Sequence, residues 1–174
     1  MEPVDELVEV VDEDDRIVDV VPRSHVRERL LLHRCTYVVV LDPVGLVYVH
    51  RRAGSKDVYP GFYDVVAGGV NGVGESYEAC AAREVREELG VTARPAYRFT
   101  HRYEGPDGRC FGGVFDVVWD GPIRWQPEEV AWGTFLSLDE VDAMIERERF
   151  CPDSLEVFLR WRREARTAPD QRPA

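Results

Sequence analysis

The segment Ser76–Leu89 constrains this chain most, because its apolar and acidic residues sort onto two adjacent faces of a helix. Read as a helix at ~100° per residue, it gathers Ala81, Ala82, Val85 and Leu89 on one arc. Glu84, Glu87 and Glu88 fall on the neighbouring arc, itself ~100° wide. One face can therefore lie on a sheet while the adjacent face presents three carboxylates. Ser76 is placed to cap the first turn and Gly90 to stop the last.

The rest of the chain supplies that sheet. Cys35–Leu41 is an almost unbroken apolar run, the pattern of a buried strand, and Leu46–Arg51 follows it across the turn Asp42-Pro43-Val44-Gly45. Glu6–Asp12 and Arg16–Val21 flank Glu13-Asp14-Asp15, which predicts an N-terminal β-hairpin, and Ser24 can open a short helix to about Leu32. Ala53–Tyr63 reads as a loop and Asp64–Ala67 as a short strand. Tyr97–Tyr103 and Arg109–Trp119 pair around Gly105-Pro106-Asp107-Gly108, Val130–Leu136 is a further strand, and Leu138–Arg147 and Asp153–Arg166 are helices. Strands in runs with helices interspersed favour an α/β fold, a mixed sheet with helices on both faces. A length of 174 residues suits one domain over 1–166, with 6–32 as its hairpin and helix and 167–174 as a flexible polar tail.

Composition narrows the partners. A net charge of −11 argues against nucleic acid, which needs a basic footprint. No stretch reaches the ~20 apolar residues that span a bilayer. The acidic start, Met1-Glu2-Pro3-Val4-Asp5-Glu6, has no signal-peptide character, so a cytoplasmic location is expected by default. Cys35, Cys80, Cys110 and Cys151 show no metal-binding spacing and read as reduced thiols. A homodimer is left open.

Three like charges within one helical turn repel one another. A solvated acidic face with Arg–Glu pairs is one resolution, and a hard divalent cation with oxygen ligands is the other. The preceding loop, Ala67-Gly68-Gly69-Val70-Asn71-Gly72-Val73-Gly74-Glu75, adds four glycines that allow close backbone approach, and a fourth carboxylate beside the same helix.

With that loop included, Gly69-x5-Glu75-x7-Arg83-Glu84-Val85-x-Glu87-Glu88-x-Gly90-Val91 resembles the Nudix box at every specified position over 69–91. The resemblance implies a Nudix-type α/β/α sandwich. It also implies Mg²⁺ or Mn²⁺ held by Glu84, Glu87, Glu88 and the carbonyl of Gly69, with Glu75 and Arg83 orienting them. The base on water would be Glu84 or Glu87, or a glutamate from a later loop.

Upstream, His50-Arg51-Arg52-Ala53-Gly54-Ser55-Lys56-Asp57-Val58-Tyr59-Pro60-Gly61-Phe62-Tyr63-Asp64 resembles the Nudix branch close to isopentenyl-diphosphate isomerase. That likeness implies a diphosphate held by Arg51, Arg52 and Lys56, the last being the only lysine of the chain. His33 falls near a metal-binding histidine of the isomerase, and is also a residue type that often serves structure alone. The isomerase cysteine and a metal histidine fall around Ala67 and Gly69, where neither residue type stands. Together with the intact box, this implies hydrolysis of a diphosphate linkage in a small organic diphosphate, a nucleoside derivative first among the classes. The alternatives are an isomerase-like enzyme and a Nudix-fold binding module without turnover. Glu128 or Glu129 could add a late-loop carboxylate, and Cys80 reads as a small packing residue.

Overall fold

A computed structural model describes residues 5–167. The described residues form the strands β1 (Leu7–Val11), β2 (Ile17–Pro22), β3 (Leu32–Leu41), β4 (Val47–Arg52), β5 (Tyr63–Asp64), β6 (Ala96–Gly105), β7 (Gly108–Val118) and β8 (Val130–Leu136). The helices are α1 (Arg23–Arg29), α2 (Tyr77–Leu89), α3 (Leu138–Ile145) and α4 (Pro152–Thr167). Residues 168–174, most of the expected tail, lie outside the described residues.

The apolar run lies at the centre because only burial on both faces accommodates it. In β3, Tyr37 and Val39 point into one hydrophobic cluster and Val38 and Val40 into the other. β7 runs parallel to β3 from Leu32↔Arg109 to Leu41↔Val118. β6 turns back on β7 across Gly105↔Gly108, as the turn sequence predicts. β4 pairs antiparallel with β3, β5 and β8, which makes the sheet mixed. α2 covers the face of Val38 and Val40, whereas Val157, Phe158 and Trp161 of α4 cover the opposite face together with α3. This is an α/β/α sandwich.

A polar clamp fixes α4. Asp116 of β7 is buried and accepts from Arg98 Nε (2.7 Å), Arg98 Nη2 (2.7 Å) and Trp161 Nε1 (2.9 Å). All the partners of this carboxylate are strong donors, so its burial is compensated.

The ends of α1, β3 and β5 depart from expectation for visible reasons. α1 starts at Arg23 after Pro22, because Ser24 turns its hydroxyl to Asp5 instead of capping. It stops at Leu30 in the left-handed region (φ 50°), which frees Leu32 to start β3. The strand expected at Asp64–Ala67 shrinks to Tyr63–Asp64; Ala67 and Val70 instead form isolated bridges to Val38 and Cys35.

Candidate active site

Helix α2 sets the site. Ser76 Oγ accepts from Ala79 N (3.2 Å), and Gly90 (φ 69°) closes the helix with its N–H on Arg86 O (3.0 Å). Ala81, Val85 and Leu89 are fully buried against the sheet. That packing leaves Glu84 and Glu88 half-buried at the sheet edge and Glu87 exposed.

Arg83 organises these acids. Its Nε and Nη2 donate to the two carboxylate oxygens of Glu75 at 2.8 and 2.9 Å. Its Nη1 donates to Glu84 at 2.7 Å and Glu87 at 3.3 Å. Glu75 in turn accepts from Gly72 N (2.9 Å), tying the loop to the helix. The loop has another tether from far upstream: Gly74 N donates to Glu9 of β1 at 2.8 Å.

Two glycines bring this loop against its neighbours. A Cβ on Gly68 would stand 2.0 Å from Thr36 O, and one on Gly69 would stand 2.4 Å from Glu84 Oε1. Gly68 N donates to Glu88 Oε2 (3.3 Å), while Gly69 O accepts from Thr36 N (2.9 Å).

Electrostatics separate Glu75, Glu84 and Glu88. The Arg83 guanidinium holds Glu75 below the usual carboxylate range. Burial raises Glu84 against the opposing pull of Arg83. Burial pushes Glu88 up to about 8, and the charges of Glu84 and Asp64 add to the shift. A cluster of this kind is electrostatically frustrated without a cation. Burial also pushes the Cys80 thiol up to about 12, which suits a packing residue and not a nucleophile.

Among the described residues, no three His, Cys, Asp or Glu side chains converge tightly enough to hold an ion as they stand. The reason is visible in the geometry: Arg83 draws Glu84 and Glu87 to itself. The donor set nevertheless fits a hard divalent cation. It is all oxygen, and the missing side chain of Gly69 lets the Glu84 carboxylate lie against the loop.

The cations are unevenly placed. A cleft of about 870 Å³ is lined by Glu84, Glu87, Glu88, Lys56 and Glu129, and shares Lys56, Gly69 and Glu88 with the lining of an inner cavity of about 220 Å³ that Arg52 also lines. Lys56 is ion-paired with Glu129. Arg52 donates to Val58 O (3.1 Å) and lies 3.7 Å from Asp64. Arg51 lines neither space: it donates to Gly61 O (3.0 Å) and lies over the Tyr63 ring. Glu128 also stays outside both, with its carbonyl on Ser55 Oγ (3.2 Å). His33 lines the inner cavity, but its Nδ1 is engaged by Leu31 O (3.0 Å), and burial lowers its pKa.

Sequence reasoning missed Arg23. It lines both spaces, donates to Glu6 (3.0 Å) and keeps a buried Nε without a partner. His50 was also missed. It is 3% exposed, its Nδ1 has no partner, and burial pushes its pKa down to about 3, helped by Arg52 and Lys56. The unfolded chain takes up this proton near 6.5 and the folded one does not, so stability falls as pH drops below that value. The expected cost at pH 5 is about 2 kcal/mol. Urea unfolding at pH 7 and 5 should show that His50→Gln removes a loss of this size; an unchanged pH dependence would refute it.

The fold and the carboxylate helix together define a class of protein. The NUDIX domain family matches residues 31–160, so the chain belongs to the Nudix family; it is a hydrolase acting on pyrophosphate bonds. It is 41% identical over 165 residues to an uncharacterized Nudix hydrolase of Streptomyces coelicolor, covering 93% of this chain and 91% of that one. An uncharacterized Nudix hydrolase of Escherichia coli K12 is 36% identical over 157 residues, covering 90% and 86%. Among solved structures, DR0079 from Deinococcus radiodurans superposes with a TM-score of 0.74 at 27% identity, over 89% of this chain and 98% of that one. The Nudix domain of Shewanella oneidensis NrtR, solved with ADP ribose, gives 0.63 at 16% identity over 76% and 87%. Among the described residues, no helix is long and apolar enough to cross a membrane.

Proposed function

We propose that the enzyme cleaves the diphosphate linkage of a small organic diphosphate, and that nucleic acid is not its substrate. The observation that carries this reading is the acidic edge of α2 facing Lys56 and Arg23 across one cleft. Glu84, Glu88 and Glu87, with the Gly69 carbonyl, would hold Mg²⁺ or Mn²⁺. When bound, such an ion neutralises the diphosphate and acidifies bound water. Arg83 and Glu75 orient the carboxylates. Lys56, Arg23 and Arg52 offer charge to the phosphates, and Glu84 or Glu87 takes the water proton. We place His33 in the cavity wall, with no role as a ligand, and Glu129 as the partner that positions Lys56. Residues 5–166 act as one unit, because Arg23 and Glu9 of its first elements reach the cleft and its loop.

The kinship to the isomerase branch is part of this proposal; the isomerase reaction is not. Ala67 is buried on Val38, and Gly69 has no side chain to offer. The test is a screen with Mg²⁺ or Mn²⁺ against nucleoside di- and triphosphates, ADP-ribose, dinucleotides, sugar nucleotides, CoA and isoprenoid diphosphates, with nucleoside derivatives first. Release of a phosphate-containing product that chelation abolishes is expected. Isomerised isopentenyl diphosphate would overturn the reading. So would tight binding without cleavage across the panel.

A further inference from the structure

The loop between β4 and β5 carries Lys56, and it is fastened unevenly. Backbone bonds close its base: Arg52 N donates to Phe62 O (2.9 Å) and Ala53 N to Glu129 O (3.0 Å). Farther along, side chains tie it to three other parts of the chain. Lys56 pairs with Glu129, Asp57 with Arg27 of α1 (2.9 Å), and Tyr59 Oη donates to Asp107 in the turn between β6 and β7.

Tyr59 is the unusual member. Its φ of 51° lies in the left-handed region, which a residue with a Cβ adopts only at a cost. Its ring packs on Phe62, with centroids 5.1 Å apart, and the Phe62 ring in turn meets the Arg149 guanidinium at 4.7 Å. The ring is thus anchored, and few rotors remain to be ordered when its hydroxyl meets Asp107. The inner cavity is lined by Lys56, Val58 and Tyr59 from this loop and by Tyr103, Asp107 and Arg109 from the β6–β7 hairpin. The bond from Tyr59 to Asp107 therefore joins two parts of its wall.

The three ties are not equivalent once a phosphate is bound. A phosphate on Lys56 competes with Glu129 for the ammonium, which weakens that tie. The side chains of Arg27 and Asp57 are 42% and 73% exposed, and an ion pair so open to solvent adds little. The position of the loop over a bound phosphate then depends mainly on Tyr59 and Asp107.

We infer that Tyr59 and Asp107 are positioning residues: their hydrogen bond latches the Lys56 loop over the inner cavity and so holds Lys56 against a bound diphosphate. The inference rests on the diphosphate-hydrolase reading for its ligand. It adds a residue pair that acts only through Lys56.

The test compares Tyr59→Phe, Asp107→Ala, their double variant and Asp107→Asn, which keeps an acceptor for the hydroxyl. The amides of Lys56 and Phe62 are bonded within the loop, to Ala53 O and Tyr59 O, and report its opening. Hydrogen exchange on the free proteins should show them about fivefold faster in the first three variants, with β3 and α2 unchanged. Titration calorimetry with methylenediphosphonate and Mg²⁺ should show binding about fivefold weaker in the same three. The double variant should be no weaker than either single one, and Asp107→Asn should stay within about twofold of the unaltered protein. Unchanged loop exchange in Tyr59→Phe would overturn the inference, as would losses that multiply in the double variant. If Asp107→Ala does not fold, Tyr59→Phe and Asp107→Asn decide. Faster loop exchange in Tyr59→Phe, with no diphosphonate binding by the unaltered protein, sinks the diphosphate reading alone. Diphosphonate binding that Tyr59→Phe leaves unchanged sinks the latch alone.

Discussion

Glu84→Gln and Glu88→Gln are each expected to reduce kcat/KM by about a thousandfold, equivalent to roughly 4 kcal/mol of transition-state stabilisation, while the fold persists. Glutamine keeps the volume of either side chain and removes the charge a cation needs. At Glu88 the fold should not suffer, since burial already drives that carboxyl towards its neutral form. Glu87 is exposed and touches only Arg83 among the bonds described, so Glu87→Gln separates two roles. A comparable loss there marks it as the base; a loss under about tenfold leaves that work to Glu84. Steady-state kinetics with thermal unfolding of each variant checks this. Near-wild-type turnover in both Glu84→Gln and Glu88→Gln would end the metal-site assignment.

Gly68→Ala is expected to damage fold and activity together. The added methyl would meet Thr36 O at 2.0 Å and Thr36 C at 2.8 Å, both backbone atoms of the central strand. Neither can rotate away, so the loop must lift from β3. The expected cost is about 3 kcal/mol, or roughly 6–12 °C in Tm. Gly69→Ala makes a different clash, 2.4 Å from the flexible carboxylate end of Glu84. That side chain can swing aside, so Tm should hold while activity falls. Thermal unfolding and kinetics on both variants would show the contrast; a stable, active Gly68→Ala protein would refute the close-approach argument.

What the sequence revealed follows from the range of the interactions involved. The arcs of α2 were legible because helical periodicity is local: Ala81, Val85 and Leu89 are buried as that period requires, while Ala82, at the rim of the expected arc, is exposed. The central strand was legible because its apolar run admits no half-exposed solution. The cations were less so. Arg51 and Arg52 are neighbours in the chain, and a strand's pleat sends neighbours to opposite faces, so only Arg52 reaches the cavity. Glu128 and Glu129 part for a similar reason: the turn closed by Glu129 N on Gln126 O (2.9 Å) leaves Glu129 alone beside Lys56. Arg23 left no local signal. It reaches the cleft because β1 bridges β3 at Val10↔His33 and α1 stops at Leu30.

The bond from Glu9 to the loop N–H at Gly74 has a consequence for inheritance. The family match spans residues 31–160, and every box residue lies inside it. Yet one fastening of the box loop comes from a strand 65 residues upstream of it. The segment that looks portable is therefore not self-sufficient. Transplanting the box into a relative, or trimming the chain to the matched span, would transfer the carboxylates and leave behind part of what holds them in register. In this protein the unit that natural exchange or engineering must move includes the N-terminal hairpin.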